Sequence, residues 1–448
     1  MADLRIDFAG IRAPNPFWLA SGPPSNTGDQ VKRAFDAGWG GAVWKTLGEP
    51  IENVTSRFGA TRFAGHPISG FNNIELITDR PLEVNFREIA DVKRQYPDHA
   101  VIVSLMVETR DEWKDIIKRS EDTGADGLEL NFGCPHGMCE RGMGSAVGQE
   151  PKVIEEITSW AREFASTPVI IKLTPNVSDI LEPGVACVKG GAQAISLINT
   201  IKSIIGVDID TFSPLPSVAG KSTNGGYCGP AVKPIALHMV GALARDPRIT
   251  VPLSGIGGIS NWRDAVEFIL MGAGSLQVCT AVMHHGYRII EDMLEGLDDY
   301  MDDKGFKSIQ DMVGLAVPRF TDWGDLDLNY RLVAHIDEKT CIGCERCYVA
   351  CWDGAHQCIH KNPGTIVPRV DEEECVGCNL CMLVCPVPGC ITMIEERKGP
   401  EESWNERMAK RTLEALRADA RAKADDAPEE RAASEDEAGV RKEADESA

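Results

Sequence analysis

Eight of the fifteen cysteines in this 448-residue chain fall into two runs with the same spacing. The first run consists of Cys341, Cys344, Cys347 and Cys351, and the second of Cys375, Cys378, Cys381 and Cys385, which Pro386 follows. Thiolates spaced in this way converge on a 4Fe–4S cluster, and the fourth cysteine of each run reaches the cluster of the other run. The spacing therefore predicts one cluster on Cys341, Cys344, Cys347 and Cys385, and a second on Cys351, Cys375, Cys378 and Cys381.

Structural zinc is the alternative for these cysteines, although zinc sites usually use paired C-x2-C arms rather than two four-cysteine runs. Cys358 and Cys390 fall outside the pattern and are expected to be buried cysteines that bind no metal. Two neighbouring clusters conduct electrons, so the rest of the chain should contain a group that accepts or donates them.

A further cysteine stands in a different setting, in the run Asn131–Gly137 (NFGCPHG) ahead of a glycine-rich segment. Cys134 lies just beyond a short apolar run, where a loop would bring its thiol over the end of a strand. A thiol in such a loop is a candidate acid or base. Cys139 lies on the same loop and is the alternative thiol.

Short apolar runs alternate with amphipathic helical segments along residues 1–310. Eight such runs are predicted as strands buried on both faces, namely Pro16–Ala20, Gly41–Lys45, Ala100–Leu105, Gly127–Asn131, Pro168–Leu173, Gln193–Asn199, Thr250–Ser254 and Ser275–Thr280. Eight βα units predict an α/β fold of the (β/α)8 TIM-barrel type, and an open doubly wound sheet is the alternative. Polar or small residues end most of these strands, at the end that carries the active site in such barrels. These residues are Ser21, Lys45, Asn131, Lys172, Asn199, Gly257, Gly258 and Thr280.

Four regions follow from these patterns: a barrel over 1–310, a connector over 311–334, an α+β ferredoxin-like module with two 4Fe–4S clusters over 335–398, and a charged tail over 399–448. The tail is expected to be helical over Ser403–Lys423, disordered beyond, and dispensable, because it has few large apolar residues.

The formal charge of the whole chain is −22, which argues against nucleic acid or an anionic membrane as a partner. No secretory signal or membrane-spanning run is recognisable, so a cytoplasmic location is expected.

Several motifs, all in order, carry a resemblance that spans about residues 5–398. They are FNNIEL, ELNFGCPHGMCERGMG, IIKLTPNV, LINT, NGGYCGPAVKPIAL, GIGGIS and LQVCTA. With the cysteine module they closely resemble the dihydropyrimidine dehydrogenase family, whose members reduce uracil and thymine. The barrel is more distantly similar to dihydroorotate dehydrogenases, which are the alternative for its activity.

The resemblance implies that FMN delivers hydride to C6 of the pyrimidine and that Cys134 protonates C5. It places the substrate against Asn73, Asn131, Asn199 and Thr200, with Asn72 as a one-residue alternative to Asn73. It places FMN against Ala20, Lys45, Thr46, Lys172, Gly229, Gly257, Gly258, Cys279 and Thr280. Gly133 stands where the family often has serine, so the hydrogen bond of that serine is not expected here.

An electron source is implied by the same resemblance. No G-x-G-x-x-G run follows a strand in this chain, so it should not bind a dinucleotide by itself. The bacterial enzymes of the family receive electrons from NADH through a second subunit that carries FAD. We therefore expect an FAD- and NAD-binding partner, with electrons passing through the clusters to FMN, and a homodimer of this chain within the complex.

Overall fold

A computed structural model describes residues 2–49, 51–63 and 66–425. It divides into two compact units, one ending at Phe320 and the other beginning at Thr321. The division falls inside the predicted connector 311–334. Each unit is described by itself.

The first unit is built around a closed barrel of eight parallel strands. They are β1 (Phe17–Leu19), β2 (Gly41–Leu47), β3 (Ala100–Leu105), β4 (Gly127–Phe132), β5 (Val169–Leu173), β6 (Ala194–Leu197), β7 (Leu253–Ile256) and β8 (Ala273–Val278). Each strand pairs with the next in the chain, and β8 pairs with β1 to close the barrel. The predicted TIM barrel is confirmed, and the open-sheet alternative is wrong.

The observed bounds of the last two strands differ from the predicted ones. β7 begins at Leu253 rather than Thr250, after Pro252, whose nitrogen has no hydrogen to donate to a neighbouring strand. β8 ends at Val278, and Thr280 begins a helix instead of ending the strand.

Helices follow the strands and cover the outside of the barrel. They are α1 (Gly28–Ala37), α2 (Leu82–Gln95), α3 (Arg110–Glu121), α4 (Ser145–Gly148), α5 (Pro151–Phe164), α6 (Leu181–Lys189), α7 (Lys233–Arg245), α8 (Trp262–Leu270), α9 (Thr280–His285) and α10 (Ile289–Lys304). Short 3-10 helices span Pro23–Ser25, Gly137–Arg141, Pro230–Val232, Ile309–Asp311, Val317–Arg319 and Trp323–Asp325.

Helix α3 shows why these segments form helices and dock. Thr109 and Glu112 form a reciprocal capping box that satisfies two backbone N–H groups at its start. Trp113, Ile116 and Ile117 recur at helical spacing and are buried against the strands.

The N-terminal end of the barrel is plugged by an apolar cluster. A hairpin of Ile6–Phe8 and Ile11–Ala13 contributes Phe8, whose ring meets that of Trp18 edge-on at 5.5 Å. The plug leaves the C-terminal end of the strands as the open end of the barrel.

A four-stranded antiparallel sheet, called here the cap sheet, is built from the excursions that follow β2 and β6. Its strands are Ile201–Ser203, Gly225–Cys228, His66–Asn73 and Phe58–Phe63, in that spatial order. A separate hairpin pairs Gly206–Asp208 with Ser213–Leu215.

The second unit contains two short antiparallel pairs, Leu332–Ile336 with Ile391–Glu395 and Ile359–His360 with Arg369–Val370. Its helices are α11 (Arg346–Trp352), α12 (Leu380–Val384) and α13 (Trp404–Asp425). Glu345 and Asn379 precede α11 and α12 with φ of 58° and 63°, so the two cysteine runs share one backbone pattern. The predicted α+β cluster module is confirmed.

Helix α13 matches the helix predicted for the tail, and residues 426–448 lie outside the described part of the chain. Its first turn is attached to the unit, because the Trp404 ring packs on Trp323 at 5.6 Å and Asn405 donates to Asp325 at 2.9 Å. The tail was expected to be dispensable because it has few large apolar residues, but its first residues do dock on the second unit. No helix in the described ranges is long and apolar enough to cross a membrane.

Candidate active site

A deep cleft opens at the C-terminal end of the barrel strands, with about 1080 Å³ of free space that includes some open to solvent. All fourteen predicted catalytic, substrate and cofactor residues line it, from Ala20 after β1 to Thr280 after β8. The barrel thus brings together side chains from along about 260 residues of sequence.

A network of short polar side chains forms one wall of the cleft. Asn131 donates to the Thr46 hydroxyl at 3.0 Å and accepts from the Asn199 side-chain amide at 3.0 Å. The Thr46 hydroxyl also lies within hydrogen-bond distance of Ser21 and Ser104. These bonds fix two of the predicted substrate-binding carboxamides before any ligand arrives.

The cap sheet separates Asn72 from Asn73. Asn73 lines the cleft, and its amide donates to the backbone carbonyl of Gly226 at 3.3 Å. Asn72 is 1% exposed, does not line the cleft, and donates to Ser203. The geometry therefore favours Asn73 as the ligand-facing residue of the pair.

Glycines in this region allow close backbone approach. A Cβ on Gly226 would lie 2.1 Å from the Thr200 hydroxyl oxygen, and one on Gly133 would lie 2.3 Å from the Asn199 Cβ. In this chain, a serine at position 133 would require Asn199 to move.

Cys134 is buried at the edge of the cleft, and its thiol donates to the backbone carbonyl of His136 at 3.6 Å. Burial raises the pKa of the thiol to about 11. The thiol is therefore protonated near neutral pH. Cys139, the alternative thiol, does not line the cleft, and it donates to the carbonyl of Pro135 at 3.3 Å.

Two buried lysines point into the cleft, each with a carboxylate partner. The Lys45 ammonium lies 3.1 Å from Glu75, which Arg57 also contacts at 2.9 Å. The Lys172 ammonium lies 3.5 Å from Glu129, inside the barrel. Cations near the cleft suit a cofactor that becomes negatively charged on reduction.

Backbone at the far side of the cleft is shaped to receive a phosphate. Gly229, Gly257 and Gly258 have φ of 91°, 126° and 79°, and a Cβ on Gly258 would lie 2.9 Å from the Gly229 carbonyl oxygen. Close backbone approach beside the starts of α7 and α8 is the usual phosphate position of such barrels. The residues present therefore fit the phosphate of FMN at one end and its ring at the lysines.

Two more thiols lie beside this cradle. Burial raises the pKa of Cys279 to about 12 and that of Cys228 to about 11. Both thiols therefore keep their protons near neutral pH, although Thr280 donates its hydroxyl hydrogen to the Cys228 sulfur at 3.2 Å.

Three polar residues of the cleft were not among the predicted site residues: Glu75, His136 and Gln277. His136 donates from Nε2 to the Glu75 carbonyl at 2.8 Å, and burial lowers the pKa of its ring. Each lies within two residues of a predicted site residue, in NNIEL, CPHG or LQVCT, so proximity to those motifs was the available signal.

The cysteines of the second unit line two separate cavities. One is lined by Cys341, Cys344, Cys347 and Cys385, and the other by Cys351, Cys375, Cys378 and Cys381. The fourth cysteine of each run thus lies with the other run, in the arrangement that the spacing predicts for two 4Fe–4S clusters. No group of three or more His, Cys, Asp or Glu side chains in the described ranges is arranged for a single metal ion.

The two remaining cysteines of the module lie beside these sets. Cys390 lines the first cavity and Cys358 the second, and both are buried. The Cys358 sulfur lies 3.4 Å from that of Cys351.

Comparison with protein families divides the chain in the same way as its structure. A family model described as dihydroorotate dehydrogenase matches residues 3–301, and one described as a 4Fe-4S dicluster domain matches residues 334–393. The first supports a flavin as the cofactor of the barrel, and the second supports iron–sulfur clusters rather than zinc in the module.

Several curated relatives match most of the chain. The NAD-dependent dihydropyrimidine dehydrogenase subunit PreA of Escherichia coli is 43% identical over 404 residues, which is 89% of this chain and 98% of that protein. The chloroplastic dihydropyrimidine dehydrogenase (NADP(+)) of Arabidopsis thaliana is 43% identical over 72% of this chain and 79% of its own length. The catalytic subunit of dihydroorotate dehydrogenase B (NAD(+)) of Pyrococcus horikoshii is 38% identical over 70% and 98%. The chain belongs to the dihydropyrimidine dehydrogenase family of oxidoreductases, within the wider family of dihydroorotate dehydrogenase barrels.

Proposed function

We propose that this chain reduces the C5–C6 double bond of uracil or thymine to the 5,6-dihydropyrimidine, with FMN bound in the barrel cleft. The observation that carries the proposal is a protonated, buried thiol, Cys134, in the same cleft as three asparagine carboxamides and two lysines. When bound, FMN supplies the hydride that is added at C6. The chain's own residues must then hold the pyrimidine and deliver one proton to C5.

Recognition of the pyrimidine is assigned to Asn73, Asn131, Asn199 and Thr200. A pyrimidine edge alternates carbonyl oxygens with N–H groups, and a carboxamide both accepts and donates. Because Asn131 already bonds to both Asn199 and Thr46, little conformational freedom is lost when the substrate binds.

Proton delivery is assigned to Cys134. A thiol with a pKa near 11 holds its proton at neutral pH, and transfers it only when negative charge develops on an adjacent atom. The Cys134 carbonyl accepts from the Ser145 N–H at 3.0 Å, which ties both ends of the 134–145 loop together beside the cleft. This loop therefore presents the thiol as a positioned acid.

The lysines have different parts in this proposal. Lys172 offsets negative charge that develops on the cofactor ring during reduction, and Lys45 contacts the cofactor while paired with Glu75. Glycines 229, 257 and 258 receive the phosphate, with Cys279 and Thr280 packed beside them.

Electrons are proposed to come from NADH through an FAD-containing partner subunit and the two clusters. The support is the E. coli relative, which is named as a subunit of an NAD-dependent enzyme. We also propose that the chain forms a homodimer within that complex.

The test uses the purified full chain with its flavin and clusters. We expect it to reduce uracil with dithionite or a reduced viologen but not with NADH, and to gain the NADH reaction when the flavoprotein partner is added. Reduction of orotate in place of uracil would assign a dihydroorotate dehydrogenase activity instead. Rapid flavin reduction by NADH in the chain alone would contradict the need for a partner.

Matched variants on one loop test the role of the thiol. Cys134→Ala should retain flavin and clusters yet lose at least about a hundredfold in turnover, the usual contribution of a positioned acid. Cys139→Ala should behave like the unmodified chain. The reverse pattern would move the acid to Cys139.

A further inference from the structure

A fully buried carboxylate lies in the barrel interior: Glu129 on β4, whose solvent exposure is 0%. Successive residues of a strand face opposite sides, so Glu129 and Asn131 both point into the barrel. Asn131 lines the cleft, whereas Glu129 does not and lies one layer deeper. Leu128 and Leu130 point the other way, into the core packed against the helices.

Three other strands of the barrel, β5, β6 and β8, supply the partners of this carboxylate. Its Oε2 accepts from the Ser196 hydroxyl and from the Gln277 amide, both at 2.8 Å. Its Oε1 has no hydrogen-bond partner among the described residues and lies 3.5 Å from the Lys172 ammonium. Lys172 is also the one cation within 4 Å of Glu129 in that part of the chain.

The stability of the fold does not explain why Glu129 and Lys172 form a buried ion pair. Removing two charges from water costs several kcal/mol per ion, and replacing a buried pair by well-packed apolar residues is often neutral or stabilising. The partners indicate another purpose, because Lys172 and Gln277 both line the cleft and Glu129 holds both from beneath.

We propose that Glu129 is a positioning residue that fixes the Lys172 ammonium and offsets part of its charge toward the bound flavin. The inference rests on the proposed function, which places the flavin ring against Lys172. A fully uncompensated lysine would favour the reduced, more negative flavin and make it a weaker hydride donor. Because Glu129 offsets part of the lysine charge, the reduced flavin is less stabilised and remains a strong enough hydride donor to reduce a pyrimidine.

The test is the two-electron midpoint potential of the flavin in the full chain, followed by its absorbance and accompanied by its flavin content. Glu129→Gln keeps the shape of the side chain but removes its charge. We expect the potential to rise by at least about 30 mV, which is a tenfold change in the ratio of reduced to oxidised flavin. Lys172→Met should lower the potential.

A double variant separates positioning from a merely structural role. In the Lys172→Met background, Glu129→Gln should shift the potential by much less than it does alone, because Glu129 acts through Lys172. Ser275→Ala is the matched control, since that buried hydroxyl has no partner in the described structure and carries no charge. Its potential should be unchanged.

An unchanged potential in Glu129→Gln, with full flavin content, would overturn the inference. So would an equal shift in the presence and absence of Lys172. If Glu129→Gln fails to fold, Glu129→Asp replaces it, and a potential identical to that of the unmodified chain despite the displaced charge would count against the proposal. The potential is measured without a pyrimidine, so a failure of the proposed substrate would appear separately, as absent uracil reduction by the unmodified chain.

Discussion

The protonation state of Cys134 can be tested directly through its reactivity. With a pKa of about 11, about one thiol in a thousand is ionised at pH 8, whereas an ordinary cysteine with a pKa of about 8.5 is about one quarter ionised. The thiolate of the more basic thiol is intrinsically more nucleophilic, by roughly tenfold over this difference. Cys134 should therefore react with a small disulfide reagent about 20-fold more slowly than an ordinary cysteine at pH 8.

The assay treats the full chain with a small methanethiosulfonate and measures modification of the peptide that carries Cys134 by mass spectrometry. The Cys139→Ala background removes the other thiol of the loop, and a synthetic peptide of residues 131–141 with the same change is the reference. Limited access slows the reaction equally at every pH, so the pH at which the rate stops rising reports the pKa alone.

The expected rate for Cys134 rises about tenfold per pH unit from 8 to 10, while the reference levels off near its own pKa. The sign follows from burial, which disfavours the thiolate and so keeps the proton bound as the pH rises. A rate that levels off below pH 9 would show that the folded protein stabilises the thiolate. That result would refute the role of Cys134 as a proton donor held in its neutral form.

Three further predictions concern the cap sheet, the tail and the cluster module. Gly226→Ala would place a Cβ 2.1 Å from the Thr200 hydroxyl oxygen, so uracil binding should weaken while the flavin content stays unchanged. Equal Kd values for uracil in the variant and the unmodified chain would contradict this. Trp404→Ala removes the ring that packs on Trp323 and should lower the free energy of unfolding of the second unit by about 1 kcal/mol. Urea unfolding followed by cluster absorbance measures this loss, which should be smaller in Trp404→Phe. An unchanged unfolding midpoint in Trp404→Ala would show that α13 is not attached through this ring. By iron analysis, Cys358→Ser should retain about eight irons per chain, whereas Cys375→Ser should lose about half of them. Loss of iron in Cys358→Ser would show that Cys358 is a ligand.

The barrel was predictable from sequence because its signal is local and repeated. Strands such as Ala100–Leu105 are buried along their whole length, so they appear as short, largely apolar runs. The closing pair of β8 with β1 is not local, and its prediction depended on the number of units. The cap sheet was not predicted, because its strands are short, carry polar residues and pair across about 155 residues of sequence.

In the candidate site, too, local motifs were predictable from sequence and contacts between distant residues were not. Residues inside recognisable motifs, such as Cys134 and Lys172, were identified by type and position. Glu75 and Gln277 were missed because their significance lies in partners from other strands: Lys45 for Glu75 and Glu129 for Gln277. The attachment of the tail at Trp404 was missed for a similar reason, since a lone tryptophan in a charged segment gives no sign of the ring that it meets.

The closure of the barrel has a consequence for the order in which the protein can be made. Strand β1 begins at Phe17 and needs β8, which ends at Val278, as one of its two neighbours. During synthesis from the N-terminus, the first strand therefore waits for about 260 further residues before its edge is covered. Gly257 and Gly258, which are proposed to receive the phosphate, emerge only shortly before closure, so the cleft is completed late. The cysteine runs follow only after it. A nascent chain arrested before residue 273 should thus lack both a closed barrel and a cleft able to retain FMN.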